Sequence, residues 1–342
     1  MAISTPPVLI WGGGAIGGTL GAYLARAGHD ILIVDTAADH VARIDERGLT
    51  VTGPIEAFTV PIRAVTPEAL EGVFEHIVLA VKTPATRAAA QTLAPHLAPS
   101  GFVVSAQNGL NEYVIADVVG AERTMGCFVN FGADYHGPGE IMYGGRGAVV
   151  VGEIDGRITA RAKALHALFQ DFEPEAVLTD NIFGYLWSKM AYGAMLFAEA
   201  LTEASIADCL DHPDYRDLFI ALAREVLAVA QAHHIALEAF NGFDPAAFLP
   251  GVGDDAARSS LAELAAFNRR SAKSHSGIWR DIAVRKRKTE VDALPGAVPP
   301  LAEAKGLRAP LCTRLTELIH EVERGERPQS WQSLDALKAA MV

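Results

Sequence analysis

Three glycines set directly after a short apolar stretch constrain this chain more than any other feature. Val8-Leu9-Ile10-Trp11 runs into Gly12-Gly13-Gly14-Ala15-Ile16-Gly17, and the Ala- and Leu-rich segment from Ala15 to Ala27 reads as a helix opened by that turn. Gly28-His29-Asp30 stops the helix, and a second apolar run, Ile31-Leu32-Ile33-Val34, ends in Asp35. Strand, tight turn, helix, glycine stop and strand make a βαβ unit. In that setting each part of G-x-G-x-x-G has a physical role. Gly12 permits the tight turn, Gly14 lets the backbone approach a pyrophosphate, and Gly17 allows close packing of helix on strand. The free N–H groups of the helix start, around Ala15 and Ile16, face the phosphate charge. A carboxylate at Asp35 accepts hydrogen bonds from both ribose hydroxyls of NAD and repels a 2′-phosphate. No Arg or Lys follows until Arg43, so the expected cofactor is NAD in preference to NADP.

The βα texture continues. His76 to Val81 and Gly101 to Ser105 read as further buried strands, apolar on both faces as in a parallel sheet covered by helices. Short β-like pieces at Thr124–Phe131, Glu140–Tyr143 and Ala148–Val151 are expected to form an antiparallel edge completing that sheet. After about Thr179 the spacing of apolar residues turns helical, predicting helices over Asn181–Ala200, Asp214–His234, Asp255–Ala272, Thr289–Lys305 and Leu311–Arg324. Pro299 and Pro300 interrupt the fourth. The expected fold is therefore an α/β Rossmann-type doubly wound sheet followed by an all-helical C-terminal domain. The dinucleotide-binding domain spans 1–179, and the helical substrate and dimerisation domain spans 180–342. A chain of 342 residues is long enough for two cores.

Composition excludes several classes. With 29 basic and 41 acidic residues the net charge is −12, which does not favour a polyphosphate backbone, so no nucleic-acid partner is expected. No apolar run approaches ~20 residues, so no membrane partner is expected, and the first residues do not resemble a signal peptide. The three cysteines, Cys127, Cys209 and Cys312, form no CxxC pair and fit a reducing, cytoplasmic setting. The histidines lack HxxxH or HExxH spacing, so no metal is expected. No GxSxG or Cys-centred nucleophile signature is present.

Several polar residues stand out against this frame. Lys82 and Asn108 each follow a predicted strand, where the carboxyl ends of a parallel sheet face the ligand crevice. Lys82 could steady cofactor or substrate charge, and Asn108 could contact the nicotinamide ribose or substrate. Asn-Gly is also ordinary turn chemistry. Lys189 lies among Leu186, Trp187, Met190 and Ala191, where partial burial would lower its pKa into the range of a general acid or base. A snorkelling lysine with its stem on those neighbours is the plainer alternative. The run Arg285-Lys286-Arg287-Lys288 could receive an anionic substrate or cofactor phosphates, or be a solvated basic helix face partnered by Glu290 and Asp292.

Taken together, GGGAIGG at the start, VK at 81–82, QNG at 107–109, GPGEI at 137–141, WSKM at 187–190, HSGIWRD at 275–281, KTEVD at 288–292 and the late Gly306-Leu307-Arg308-Ala309-Pro310 resemble the ketopantoate reductase family over nearly the whole chain. The resemblance implies a Rossmann domain followed by a helical one, and reduction of a 2-oxo acid with NAD(P)H. It implies that Lys189 is the proton donor to the carbonyl oxygen and that Asn108 contacts cofactor and substrate. It also implies that Glu290 contacts the ribose and orders the site, that Ser276 receives the substrate carboxylate, and that the enzyme is a homodimer. One residue more than the family's usual spacing separates Asp281 from Glu290. Where the family has asparagines one and two helical turns after the lysine, this chain has Gly193 and Phe197. Both lie on the Lys189 face of a helix. A wall that has lost two amides no longer recognises hydroxyl groups.

The expected function is thus NAD(P)-dependent hydride transfer between nicotinamide and a 2-oxo or 2-hydroxy acid, a small anionic substrate other than ketopantoate itself. The alternatives are 2-dehydropantoate 2-reductase proper and, from another class, a non-catalytic NAD(H)-binding redox sensor. A sensor needs only the glycine turn and Asp35, so the additional Lys189, Asn108 and Glu290 favour an enzyme.

Overall fold

A computed structural model of the chain describes residues 7–240, 242–270 and 274–341. It falls into two compact units, Met1–Ile182 and Phe183–Val342.

The first unit begins with β1 (Val8–Trp11), α1 (Ala15–Arg26), β2 (Ile31–Val34), α2 (Ala38–Arg47), β3 (Leu49–Thr52), β4 (Phe58–Val60) and β5 (Arg63–Val65). It continues through β6 (Phe74–Leu79), α3 (Thr86–Leu93), β7 (Leu97–Ser105), α4 (Asn111–Val119), β8 (Thr124–Val129), β9 (Gly132–Gly137) and β10 (Glu140–Gly145). It closes with β11 (Val149–Glu153), α5 (Ala160–Gln170) and β12 (Val177–Leu178). The main sheet has eight strands in the order β12-β11-β8-β7-β6-β1-β2-β5. From β5 to β8 every pairing is parallel, and only β11 against β8 is antiparallel. The chain builds outward from β1 through β2 to β5, then crosses back to place β6, β7 and β8 on the other side. That is the strand order of a dinucleotide-binding sheet, with its switch point between β1 and β6. Alternate residues of β1 enter different cores. Val8 and Ile10 join the face covered by Leu20 and Leu24 of α1, and Leu9 and Trp11 join the face covered by Leu93 of α3 and Ile115 of α4.

One expectation needs correction. Of the three pieces only β11 pairs antiparallel within the main sheet, against β8, and the edge beyond it is β12, which runs parallel to β11. β8 runs parallel to β7, and the piece at Glu140–Gly145 leaves the main sheet altogether. It joins a separate four-stranded sheet, β4-β3-β10-β9, in which β10 runs parallel to β3. Val51, Val60, Ile141 and Tyr143 of this small sheet share a core with α1.

The second unit is helical: α6 (Ile182–Glu199, starting at the last residue of the first unit), α7 (Ile206–Asp211), α8 (Arg216–Ala232), α9 (Asp254–Arg270), α10 (Gly277–Ala283), α11 (Val298–Glu303), α12 (Pro310–Glu323) and α13 (Trp331–Lys338). The buried helix α8 packs on α7, α9, α11 and α12. The helix predicted over Thr289–Lys305 is corrected to two 3₁₀ turns, Val291–Ala293 and Pro295–Ala297, followed by the single short helix α11. Pro299 and Pro300 fall in its first turn, where the missing N–H groups have no intrahelical partner to lose. The end of the predicted helix Asp255–Ala272 lies partly outside the described residues.

Candidate active site

The glycine turn is built as its residue types require. Gly12 has φ +104°, and a Cβ there would sit 2.9 Å from the backbone C of Ala80 and N of Val81. The turn therefore presses against the chain leading from β6 to Lys82. A Cβ on Gly17 would overlap the carbonyl oxygen of Gly12 and lie 2.9 Å from Ala80 Cβ, so α1 approaches β1 and β6 only because that position is glycine. At Gly14 the situation is reversed: a Cβ would meet nothing within 4 Å. Gly14 is the N-cap of α1 and has no side chain to accept from the N–H groups that begin with Ala15 and Ile16. An open cradle over uncapped helix N–H groups suits a pyrophosphate.

Asp35 stands one residue past β2. Its Oδ2 accepts from the Gly13 N–H at 2.8 Å and its Oδ1 from the Ala37 N–H at 2.9 Å. The carboxylate is thereby held against the glycine turn, with lone pairs left over for ribose hydroxyls. Tyr135 lies near it. Burial pushes its phenol up, and the charges of Asp39 and Asp35 push it further.

The carboxyl ends of β6 and β7 are tied together by a side-chain network. Gln107 Nε2 donates to the Val81 carbonyl at 2.8 Å and to Thr86 Oγ1 at 2.7 Å. Thr86 Oγ1 donates to Asn111 Oδ1 at 2.9 Å, and Asn111 Nδ2 donates to the Asn108 carbonyl at 2.6 Å. Thr83 Oγ1 also donates to the Asn108 carbonyl, at 3.2 Å. Lys82, exposed, and Asn108, half-buried, therefore sit on a fixed rim beside the switch point. In the first unit the structure thus brings Gly12, Gly14, Ala15, Ile16, Gly17, Asp35, Lys82 and Asn108 to the carboxyl end of one sheet.

The remaining predicted residues lie in the second unit. Lys189 is half-buried on α6 between Ser188 and Met190, both buried. Gly193, one turn on, is buried, and a Cβ there would meet Leu294 Cδ2 at 3.6 Å. Phe197, the next turn, is 1% exposed. Ser276 is the N-cap of α10, its Oγ accepting from the Trp279 N–H at 3.0 Å, which leaves its own hydroxyl hydrogen to donate elsewhere. Glu290 opens the 3₁₀ turn Val291–Ala293. The basic run 285–288 lies on an irregular segment rather than a helix face. Arg285 and Arg287 fold back onto Asp281, at 2.9 and 2.8 Å. That spends half of the run's charge on structure, and Lys286 and Lys288 stay exposed. Asp292, expected as a partner for the run, meets His320 instead, at 2.8 Å.

Two buried polar residues of the first unit, His40 beside the turn and Glu112 away from it, carry no local sequence signal. His40 on α2 is 1% exposed. Its Nε2 lies 2.9 Å from the Gly13 carbonyl oxygen, and its Nδ1 accepts from the Gly139 N–H at 2.9 Å. Glu112 on α4 is fully buried, with no hydrogen-bond partner of good geometry for either carboxylate oxygen. Burial pushes its carboxyl up to about 8, only partly offset by its own backbone amide and the Ser105 hydroxyl. His40 meets Gly139 of the GPGEI motif across 99 residues of sequence, a contact that no spacing in the sequence announces.

Among the described residues no three His, Cys, Asp or Glu side chains gather as a metal site, and no helix is long and apolar enough to cross a membrane.

Comparison with known proteins agrees with this architecture. Residues 8–156 match the model for "Ketopantoate reductase PanE/ApbA", and residues 181–323 match the model for its C-terminal part. The chain is similar to a 2-dehydropantoate 2-reductase of Pyrococcus abyssi, 29% identical over 91% of this chain and 96% of that protein. It is also similar to one of Archaeoglobus fulgidus, 27% identical over 93% and 98%. Among solved structures, a PanE/ApbA family ketopantoate reductase from Ralstonia eutropha superposes with TM-score 0.78 at 25% identity, covering 94% of this chain and 99% of that one. A D-mandelate dehydrogenase in ternary complex with NADH and anilino(oxo)acetate shares the fold, with TM-score 0.81 at 22% identity over 93% and 99%. With a dinucleotide-type sheet followed by a helical unit, and both halves of the family pattern matched in order, the chain belongs to the ketopantoate reductase family of oxidoreductases.

Proposed function

We propose that this protein is an NAD-preferring oxidoreductase that interconverts a 2-oxo acid and its 2-hydroxy acid, and that its substrate is not ketopantoate. The observation that carries the cofactor preference is the Asp35 carboxylate, held at the end of β2 by the Gly13 and Ala37 N–H groups. A 2′-phosphate there would meet a fixed negative charge. Gly12, Gly14 and Gly17 shape the pyrophosphate cradle, and Lys82 and Asn108 form its rim. Bound there, a nicotinamide supplies or accepts the hydride at the substrate C2.

The chain's own groups supply position and the proton. Lys189 gives a proton to the carbonyl oxygen during reduction and takes it from the hydroxyl during oxidation. Its ammonium also stabilises negative charge growing on that oxygen. Ser276 donates its hydroxyl hydrogen to the substrate carboxylate while its oxygen caps α10, and Glu290 orders the ribose. Gly193 and Phe197 present no amide to a substrate hydroxyl, which favours an acid with an apolar substituent. The shared fold of a D-mandelate dehydrogenase solved with anilino(oxo)acetate is in keeping with that choice. The names of the Pyrococcus and Archaeoglobus relatives favour a second reading, 2-dehydropantoate 2-reductase itself.

A screen of 2-oxo and 2-hydroxy acids, ketopantoate included, with NAD(H) and NADP(H) in parallel separates the readings. The proposal expects an acid without hydroxyl substituents beyond C2 to be preferred, with NAD(H) favoured by at least about tenfold in kcat/KM. Preference for ketopantoate overturns the substrate assignment, and equal use of both cofactors overturns the reading of Asp35. In Lys189→Ala, kcat should fall by about 10²–10⁴-fold with NADH binding unchanged.

A further inference from the structure

A glycine-rich turn cannot hold its own shape. Gly12, Gly13 and Gly14 have no side chains to pack, and their peptides rotate at little steric cost. Something outside the turn must fix which way each N–H points. For the peptide before Gly13 that is Asp35, which accepts its N–H. For the peptide after Gly13 it is His40.

We propose that His40 is a positioning residue for the dinucleotide turn, clamping the Gly13 carbonyl so that the Gly14 N–H is turned toward the cofactor pyrophosphate. The Gly139 N–H can only donate, so Nδ1 of His40 must be the acceptor and its hydrogen must sit on Nε2. The group facing Nε2 is the Gly13 carbonyl, which can only accept. Both ring nitrogens are thus satisfied by one tautomer. In a trans peptide the C=O and the N–H point in opposite directions, so a Gly13 oxygen held toward His40 points the Gly14 N–H away from it. The far end of the clamp is anchored as well. Gly139 lies in the β9–β10 turn at φ +73°, and its carbonyl accepts from the Thr50 N–H of β3 at 2.9 Å. The His40 N–H is held by Asp39 Oδ1 at 2.9 Å, and the Tyr135 ring meets the imidazole edge-on at 5.1 Å. The small sheet therefore reaches the turn through one buried imidazole. Within the GPGEI motif, Gly139 then has a defined role, because its N–H sets the tautomer of His40.

The inference rests on the proposal that the turn binds a dinucleotide, and its test keeps the two apart. NADH dissociation constants, measured by nicotinamide fluorescence, are compared in wild type, His40→Ala, His40→Gln and His40→Asn, with folding checked by thermal unfolding. kcat is measured at saturating cofactor with the best acid from the screen. The Gln side chain places an amide N–H where Nε2–H was, whereas the Asn side chain reaches only the Gly139 side. The clamp predicts that His40→Ala and His40→Asn weaken NADH binding by about tenfold with kcat within about twofold, and that His40→Gln restores most of the affinity. Unchanged affinity in a folded Ala variant, or equal losses in the Gln and Asn variants, overturns it. If the Ala variant does not fold, the Gln and Asn comparison decides. If none of the three folds, His40 holds the fold rather than the turn and the proposal is wrong. A wild-type protein that does not bind NADH overturns the cofactor reading itself.

Discussion

Asp35 and Glu112 show two opposite fates of a carboxyl group in the same unit. Asp35 has both oxygens taken by backbone N–H groups and spare lone pairs outward. An amide has only one acceptor oxygen, so Asp35→Asn should leave one of those two N–H groups facing an NH₂. We expect a loss of about 1–3 kcal/mol in stability by chemical denaturation, together with a smaller ratio of NAD to NADP kcat/KM. Around Glu112 burial outweighs its own backbone amide and the Ser105 hydroxyl, and pushes its carboxyl up to about 8, against 4.5 for an ordinary glutamate. The folded state therefore keeps this proton more tightly than the unfolded chain. Its presence does not weaken folding below about pH 4.5, weakens it progressively as pH rises to about 8, and has its full cost above that. Glu112→Gln should remove this dependence. Unfolding free energies of the two proteins should converge at low pH and diverge by a few kcal/mol on the alkaline side. Parallel curves would show that the carboxylate finds a partner.

The elements differ in how far the sequence disclosed them. The run β1–α1–β2 was legible because every determinant is local: an apolar strand, glycines at fixed offsets, a glycine stop and an acid at the strand end. Lys82 and Asn108 were placed correctly after β6 and β7 for the same reason. The small sheet was not legible, because β3 finds β10 across some ninety residues and neither strand announces its partner. The helices α7, α10 and α13 are too short for a 3.6-residue period to show. Thr289–Lys305 misled because two 3₁₀ turns and a short helix happen to space their apolar residues like one helix. Another long-range device is the start of α12, where Pro310 opens the helix and its N-cap, Ala309, offers no side-chain acceptor. Glu225 of α8 does the capping instead, its two oxygens accepting from Leu311 N at 3.0 Å and Cys312 N at 2.7 Å. Burial raises this carboxyl and the two N–H groups pull it back. Glu225→Ala should cost about 1–2 kcal/mol, read as a lower midpoint of thermal unfolding. No change would mean that α12 is held by its apolar face alone.

Across the whole molecule, the three cysteines are buried thiols outside any disulfide. Burial pushes the Cys209 thiol up to about 12 and raises that of Cys312 as well. A thiol reagent should therefore leave the native protein unlabelled until it opens. Cys127 lies on β8 of the unit that carries the glycine turn. If NADH binds there, its labelling should slow about a hundredfold when NADH is present at about a hundred times its dissociation constant. Labelling that ignores NADH would count against binding to that unit.

The pairing of β3 with β10 also has a consequence in time. The glycine turn and Asp35 leave the ribosome well ahead of Gly139 and of β10, the partner of β3, which follow more than a hundred residues later. At ordinary translation speeds that delay is on the order of ten seconds. During it a nascent chain exposes the whole dinucleotide fingerprint while β3 and β4 wait, apolar and half-paired, for a strand not yet made. A fragment cut before residue 137 would keep every residue of the motif and lack the sheet that steadies it.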